Sequence, residues 1–110
     1  MEDPKQFFEE YKQGLRSLRE AAPPALEGFN SFYQKVMAEG ALEVKTKELI
    51  ALAVGVAVQC ANCIILHTRG AAKAGANPEE IMEAASVGVV MGGGPAFTYL
   101  PLVKKTLDEL

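Results

Sequence analysis

Tryptophan is absent from this 110-residue chain, histidine occurs once, and cysteine occurs only twice. Aromatic residues make up 7% of the chain, so aliphatic side chains must supply most of any core. No stripe of basic residues is present: 11 Lys and Arg face 14 Asp and Glu, fairly evenly spread, for a net charge of −3. That balance excludes the electrostatic footprint of a nucleic-acid-binding protein. The start Met1-Glu2-Asp3-Pro4-Lys5 is charged with no apolar stretch behind it, unlike a secretory signal, and a cytoplasmic location is the expectation. An uninterrupted membrane span is also missing. Twenty residues from Ala84 to Val103 carry no charge, but Gly92-Gly93-Gly94-Pro95 lies among them and Pro101 follows. A lipid-facing helix broken there would leave backbone groups unpaired in hydrocarbon. The other apolar run, Leu49 to Val58, is too short to cross.

What is present is hydrophobic and helical in pattern. Apolar residues make up 49% of the chain, the composition of a folded domain, and the length fits one domain over residues 1–110. So much apolar surface on so short a chain predicts a homo-oligomer that shares helices between subunits. Asp3-Pro4 reads as a cap and first helical residue, followed by a helix with Phe8, Tyr11, Leu15 and Leu18 on one face. Pro23-Pro24 ends it. A second helix runs from about Pro24 to Glu39, with Leu26, Phe29, Phe32 or Tyr33, and Val36 or Met37 as its stripe. A third runs from about Val44 to Val58, and its nearly continuous apolar surface predicts burial. A fourth starts close to Cys60 and ends at Gly75. Asn77-Pro78-Glu79-Glu80 starts a fifth, which stops before Gly92. Residues 95–110 form a last helix with a bend at Pro101. The expected fold is all-α, a compact bundle of about six helices with the cysteines near the N-terminus of a central one. Gly92-Gly93-Gly94-Pro95 lacks the Lys-Ser/Thr and the preceding strand of a phosphate loop and reads as a turn between helices. The cluster of Phe7, Phe8 and Tyr11 reads as core or subunit contact.

The chemistry concentrates in one short stretch. Cys60 and Cys63 are three residues apart, close enough in a first helical turn for a disulfide. Such a small loop constrains the unfolded chain by only about 2 kcal/mol, which makes reversible redox chemistry a better reason for the pair than stability. Helix-start amides favour a thiolate. His67 lies one turn beyond Cys63 on the same face, roughly 6 Å along the axis, and can take its proton. The dipole favours Cys60 as nucleophile and the base favours Cys63, so spacing alone leaves both open. Glu48 could join them only if two helices cross beside it. On the residues alone it reads as a solvated acid in a first turn. Zinc held by Cys60, Cys63, His67 and a carboxylate is an alternative, although a second CxxC or a second histidine is the commoner pattern.

Glu48, eleven residues, Cys60-Ala61-Asn62-Cys63, three residues and His67 together resemble the active-site signature of the alkyl hydroperoxidase D-like family. That family lies within the carboxymuconolactone decarboxylase superfamily. Lys47 to Ala53, His67-Thr68-Arg69-Gly70-Ala71-Ala72 and the Gly75 to Ile81 turn are similar to it as well. The resemblance covers roughly residues 41–94. It implies an all-α fold assembled as trimers or hexamers, with Glu48 in a proton relay with His67. It also implies that Cys63 attacks peroxide and Cys60 resolves the product, with a lipoyl-like or thioredoxin-like dithiol as reductant. The substrate would be a hydroperoxide or a disulfide, and nothing points to a flavin, haem or nucleotide cofactor. Lactone decarboxylases of the superfamily lack the cysteine pair, so the pair argues against that activity. The alternative is a non-catalytic module in which the same disulfide senses redox state or governs partner binding.

Overall fold

The computed structural model describes all residues, 1–110, and contains helices and turns with no strand. Six helices and one additional single turn follow in order: α1 (Pro4–Ala21), α2 (Pro23–Met37), α3 (Val44–Ala57), α4 (Ala61–Lys73), α5 (Pro78–Gly92), the single turn α6 (Gly94–Phe97) and α7 (Leu100–Asp108). None is long and apolar enough to cross a membrane.

Local chemistry sets most of the boundaries. Asp3 accepts a hydrogen bond from the backbone N–H of Lys5 at 3.1 Å, and Pro4 opens α1. At the start of α5, Asn77 accepts from the Glu80 N–H at 2.8 Å while Glu80 accepts from the Asn77 N–H at 3.0 Å, a reciprocal capping box. The end of α2 is closed from outside the helix: Lys47 Nζ donates to the carbonyls of Val36 at 2.7 Å and Ala38 at 2.6 Å. The last helix does not bend at Pro101. The chain breaks earlier, at Thr98 and Tyr99, and Pro101 sits in the first turn of α7, where its missing N–H costs nothing.

The central element is α3, packed between α4 and α5, with α7 closing the bundle against α4 and α5. Leu52 and Val56 of α3, Ile64 and Ile65 of α4, Ile81 and Ala85 of α5, and Val103 of α7 are fully buried and form one cluster with Phe7 of α1. Three expectations from the apolar pattern are corrected. The buried face of α1 is centred on Pro4 and Phe7, with Phe8 half-buried and Tyr11 and Leu18 open to solvent. The stripe of α2 is not core: only Leu26 is buried, while Phe29, Phe32 and Val36 are exposed. Nor is α3 buried all round, since Ile50, Val54 and Val58 lie open on its outer face. The physical reason is geometric. The helix α2 packs mainly against α1 and lightly against α3, while α3 turns its core face to α4 and α5, so no element of this chain covers those faces.

Candidate active site

The turn from α3 to α4 positions the cysteines. Gln59 adopts φ +59°, and the Cys60 N–H returns to the Gly55 carbonyl at 2.9 Å while the Gln59 N–H reaches Val56 at 3.1 Å. This reversal closes α3 and leaves Cys60 extended as the residue capping α4, not inside its first turn. The sulfur of Cys60 accepts from the Cys63 N–H at 3.1 Å, and the two residues are joined by a disulfide with their Cα atoms 5.2 Å apart. Both sulfurs therefore lie at the positive end of the α4 dipole. Cys60 and Cys63 are half-buried and Asn62 between them is exposed.

Helix packing brings in the remaining two residues. His67 is one turn beyond Cys63, and its Nδ1 lies 2.8 Å from Glu48 Oε2. The pair is well sheltered, with 16% of the His67 side chain and 13% of the Glu48 side chain exposed. With Glu48 ionised, Nδ1 carries the hydrogen and donates it, leaving Nε2 as the nitrogen able to accept a proton. Glu48 is thus not a solvated first-turn acid; it points across the α3–α4 crossing.

Two glycines make that crossing tight enough. A Cβ at Gly55 would lie 3.2 Å from the Cβ of Cys63, so α3 approaches α4 at the cysteine itself. A Cβ on Gly70 would lie 2.7 Å from Cδ of Glu48, and so would stand where the carboxylate now sits. Sequence reasoning missed both. Gly70 falls three residues after His67, on the same face of α4, and that spacing was the available signal.

Tyr33 is the other residue that the sequence placed only in an apolar stripe. Its ring stacks against the His67 imidazole with centroids 6.5 Å apart and planes 25° apart. Burial pushes the Tyr33 hydroxyl above its ordinary value of 10.0, and the Glu48 carboxylate and then Tyr11 push the same way. No three His, Cys, Asp or Glu side chains are grouped to hold a metal ion while Cys60 and Cys63 are joined as a disulfide. In the Phe7, Phe8 and Tyr11 cluster, Phe7 stacks on Tyr11, and Phe8 carries the Arg69 guanidinium 4.4 Å above its ring.

Fold and site together define a small all-α protein in which a disulfide opens one helix and a part-buried carboxylate–imidazole pair follows it. The chain belongs to the carboxymuconolactone decarboxylase family, whose description matches residues 23–103. It is 40% identical over 84 residues to a Paracoccus denitrificans protein known as uncharacterized protein 4 in the cox locus, covering 76% of each chain. An uncharacterized Cupriavidus necator protein is 32% identical over 108 residues, covering 98% of this chain and 96% of that one. Among solved structures, a carboxymuconolactone decarboxylase family protein from Legionella pneumophila superposes with a TM-score of 0.91 at 36% identity. The match covers 96% of this chain and 95% of that one. A Thermotoga maritima member, for which a part in the antioxidative response has been suggested, gives a TM-score of 0.82 at 30% identity, over 93% and 87% of the two chains.

Proposed function

We propose that this protein is a thiol-dependent antioxidant enzyme of the alkyl hydroperoxidase D-like type, reducing hydroperoxides or disulfides through the Cys60–Cys63 pair. The observation that carries the reading is the Cys60–Cys63 disulfide one helical turn from an imidazole held by a sheltered carboxylate. A disulfide closing so short a loop adds little stability, whereas a thiol pair at a helix start with a base one turn away is chemically primed.

The reaction runs as follows. In the reduced protein His67 Nε2 takes the Cys63 proton, and Glu48 steadies the resulting imidazolium through Nδ1. The Cys63 thiolate attacks the distal oxygen of a hydroperoxide. An S–O bond forms, the O–O bond breaks, and the alkoxide leaves as alcohol with the proton held by His67. Cys63 is now a sulfenic acid. Cys60 attacks that sulfur, the S–O bond breaks, water leaves and the disulfide forms. An external dithiol, lipoyl-like or thioredoxin-like, supplies the two electrons that restore both thiols. A disulfide substrate would enter by the same attack of Cys63 on sulfur.

The exposed apolar faces of α2, α3 and α5 support a homo-oligomeric assembly, a trimer or hexamer by the resemblance. Turnover of a hydroperoxide with dihydrolipoamide or reduced thioredoxin tests the enzyme reading. Wild type should consume peroxide catalytically, and Cys63→Ser should not. A wild-type protein that oxidises once and never turns over with either reductant would overturn it in favour of a redox-sensing module. A thiolate titration of the Cys60→Ser variant by absorbance adds the mechanism: the Cys63 transition should fall below the usual thiol value of about 8.5 and rise when His67→Ala is added.

A further inference from the structure

We infer that Tyr33 is a positioning residue for the dithiol site: its ring, laid on the His67 imidazole, fixes that ring in the orientation that bonds Glu48 and serves Cys63. The inference deepens the thiol-chemistry reading and rests on it.

Three observations converge. First, Tyr33 and His67 lie 6.5 Å apart with nearly parallel planes. That is the geometry of an offset aromatic pair, which is worth more than burial alone. Second, Tyr33 comes from α2, an element that makes almost no core, because Leu26 is its one buried residue. A helix so loosely tied to the bundle would not hold a ring over the site by itself. It is tied by Lys47, the residue next to Glu48, whose ammonium closes the last carbonyls of α2. The segment that supplies the carboxylate therefore also anchors the helix that supplies the ring. Third, Phe29, one turn earlier on the same helix, has its ring centred 5.9 Å from that of Tyr33.

The chemistry explains why a ring belongs there. The imidazole has one face against the protein and one nitrogen committed to Glu48. Without a cover, more of the ring would be open to water and the Glu48 hydrogen bond alone would hold its orientation. A ring beside it, with the two planes nearly parallel, limits the rotation of the imidazole. Two titratable groups lie against His67, Glu48 from α3 and Tyr33 from α2; Cys63 is one turn away on α4 itself, and Tyr11 of α1 acts on Tyr33. The raised Tyr33 hydroxyl keeps the phenol neutral through the working range, so it contributes its ring and no charge.

The test uses alkylation of Cys63 by iodoacetamide across pH in the Cys60→Ser background, in which one thiol reacts and no peroxide is needed. Tyr33→Leu should lower the rate near pH 7 by about threefold to tenfold and move the pH profile in the same direction as His67→Ala. Tyr33→Phe should restore it to within about twofold, because the ring is what matters. A Tyr33→Leu profile that overlays the parent, while His67→Ala shifts it, would overturn the inference and leave the enzyme reading intact. A shifted Tyr33→Leu profile with no hydroperoxide turnover in wild type would do the reverse. If Tyr33→Leu does not fold, nuclear Overhauser contacts between the Tyr33 and His67 rings of the reduced wild-type protein decide. Their presence supports the positioning role, and their absence refutes it.

Discussion

The carboxylate of Glu48 occupies the space that a side chain at Gly70 would need, for a Cβ there would lie 2.7 Å from Cδ. The hydrogen bond from His67 to Glu48 therefore depends on a missing methyl group one turn away. Gly70→Ala should push the carboxylate off the imidazole at little cost in stability, because only the mobile end of the Glu48 side chain must move, and should remove most of the thiol reactivity. Gly28→Ala is the contrasting change. Nothing lies within 4 Å of a Cβ at that position, which is inside α2, so it should stabilise by about 0.5–1 kcal/mol and leave the site alone. Chemical denaturation of both variants beside a Cys63 alkylation assay separates the two effects. Equal behaviour of the two would show that the crossing has slack.

Gln59 has a positive φ of 59° where a helix ending in this way usually has glycine. The residue sits immediately before Cys60, so the strain is held at the entrance to the redox turn. Gln59→Gly should relieve it and raise stability by about 0.5–1 kcal/mol after the greater freedom of glycine in the unfolded chain is offset. Thermal melting of oxidised and reduced forms checks this. A loss of stability in both forms would mean that the Gln59 side chain makes contacts that outweigh its backbone strain.

Much of this arrangement was legible from residue types at fixed spacing. The caps at Asp3 and Asn77, the helices between them and the one-turn interval from Cys63 to His67 are local, and local chemistry determines them. The placement of Glu48 was not legible from spacing, because it depends on the crossing of α3 and α4, which Gly55 and Gly70 permit. The same limit explains Tyr33 and the stripe of α2. Periodicity reports that Phe29, Phe32 and Val36 share a face, but it does not report what covers that face. Cys60 was placed within about one residue, yet its role as the cap of α4 arises from the left-handed turn at Gln59, a position where the sequence shows no glycine.

The capping box gives a pH prediction with a defined sign. The Asn77 backbone N–H first, and then the Lys45 ammonium at 3.0 Å, hold the Glu80 carboxyl below its ordinary value. A carboxyl lowered by folding contributes stability that is present above its unfolded value and is lost as pH falls through its folded value. Wild type should therefore lose part of its stability as pH drops below the ordinary glutamate range of about 4.3. Glu80→Gln should remove that component of the loss while being less stable than wild type near neutrality. Asn77→Ala should cost about 1 kcal/mol at any pH, because it removes the acceptor for the Glu80 N–H. Urea midpoints of the three proteins at a series of pH values test this. Identical slopes in wild type and Glu80→Gln would refute the assignment.

The open faces of α3 and α5 set the last expectation. Val90 is 80% exposed and Met91 82%, on a helix whose other side is fully buried, and Val54 and Val58 are open on α3. Isolated exposed valines need no explanation, but a set of them on the two central helices of one small protein does. If a second copy covers this surface, a charge placed there must either be desolvated or break the assembly. Met91→Glu combined with Val54→Glu should shift the mass in sedimentation from an oligomer toward a single chain while helix content by circular dichroism is kept. The lost burial should also lower the melting temperature and make it depend less on protein concentration, since association stabilises by mass action. An unchanged sedimentation profile would place the contacts between copies elsewhere, with the exposed aromatic face of α2 as the next surface to charge.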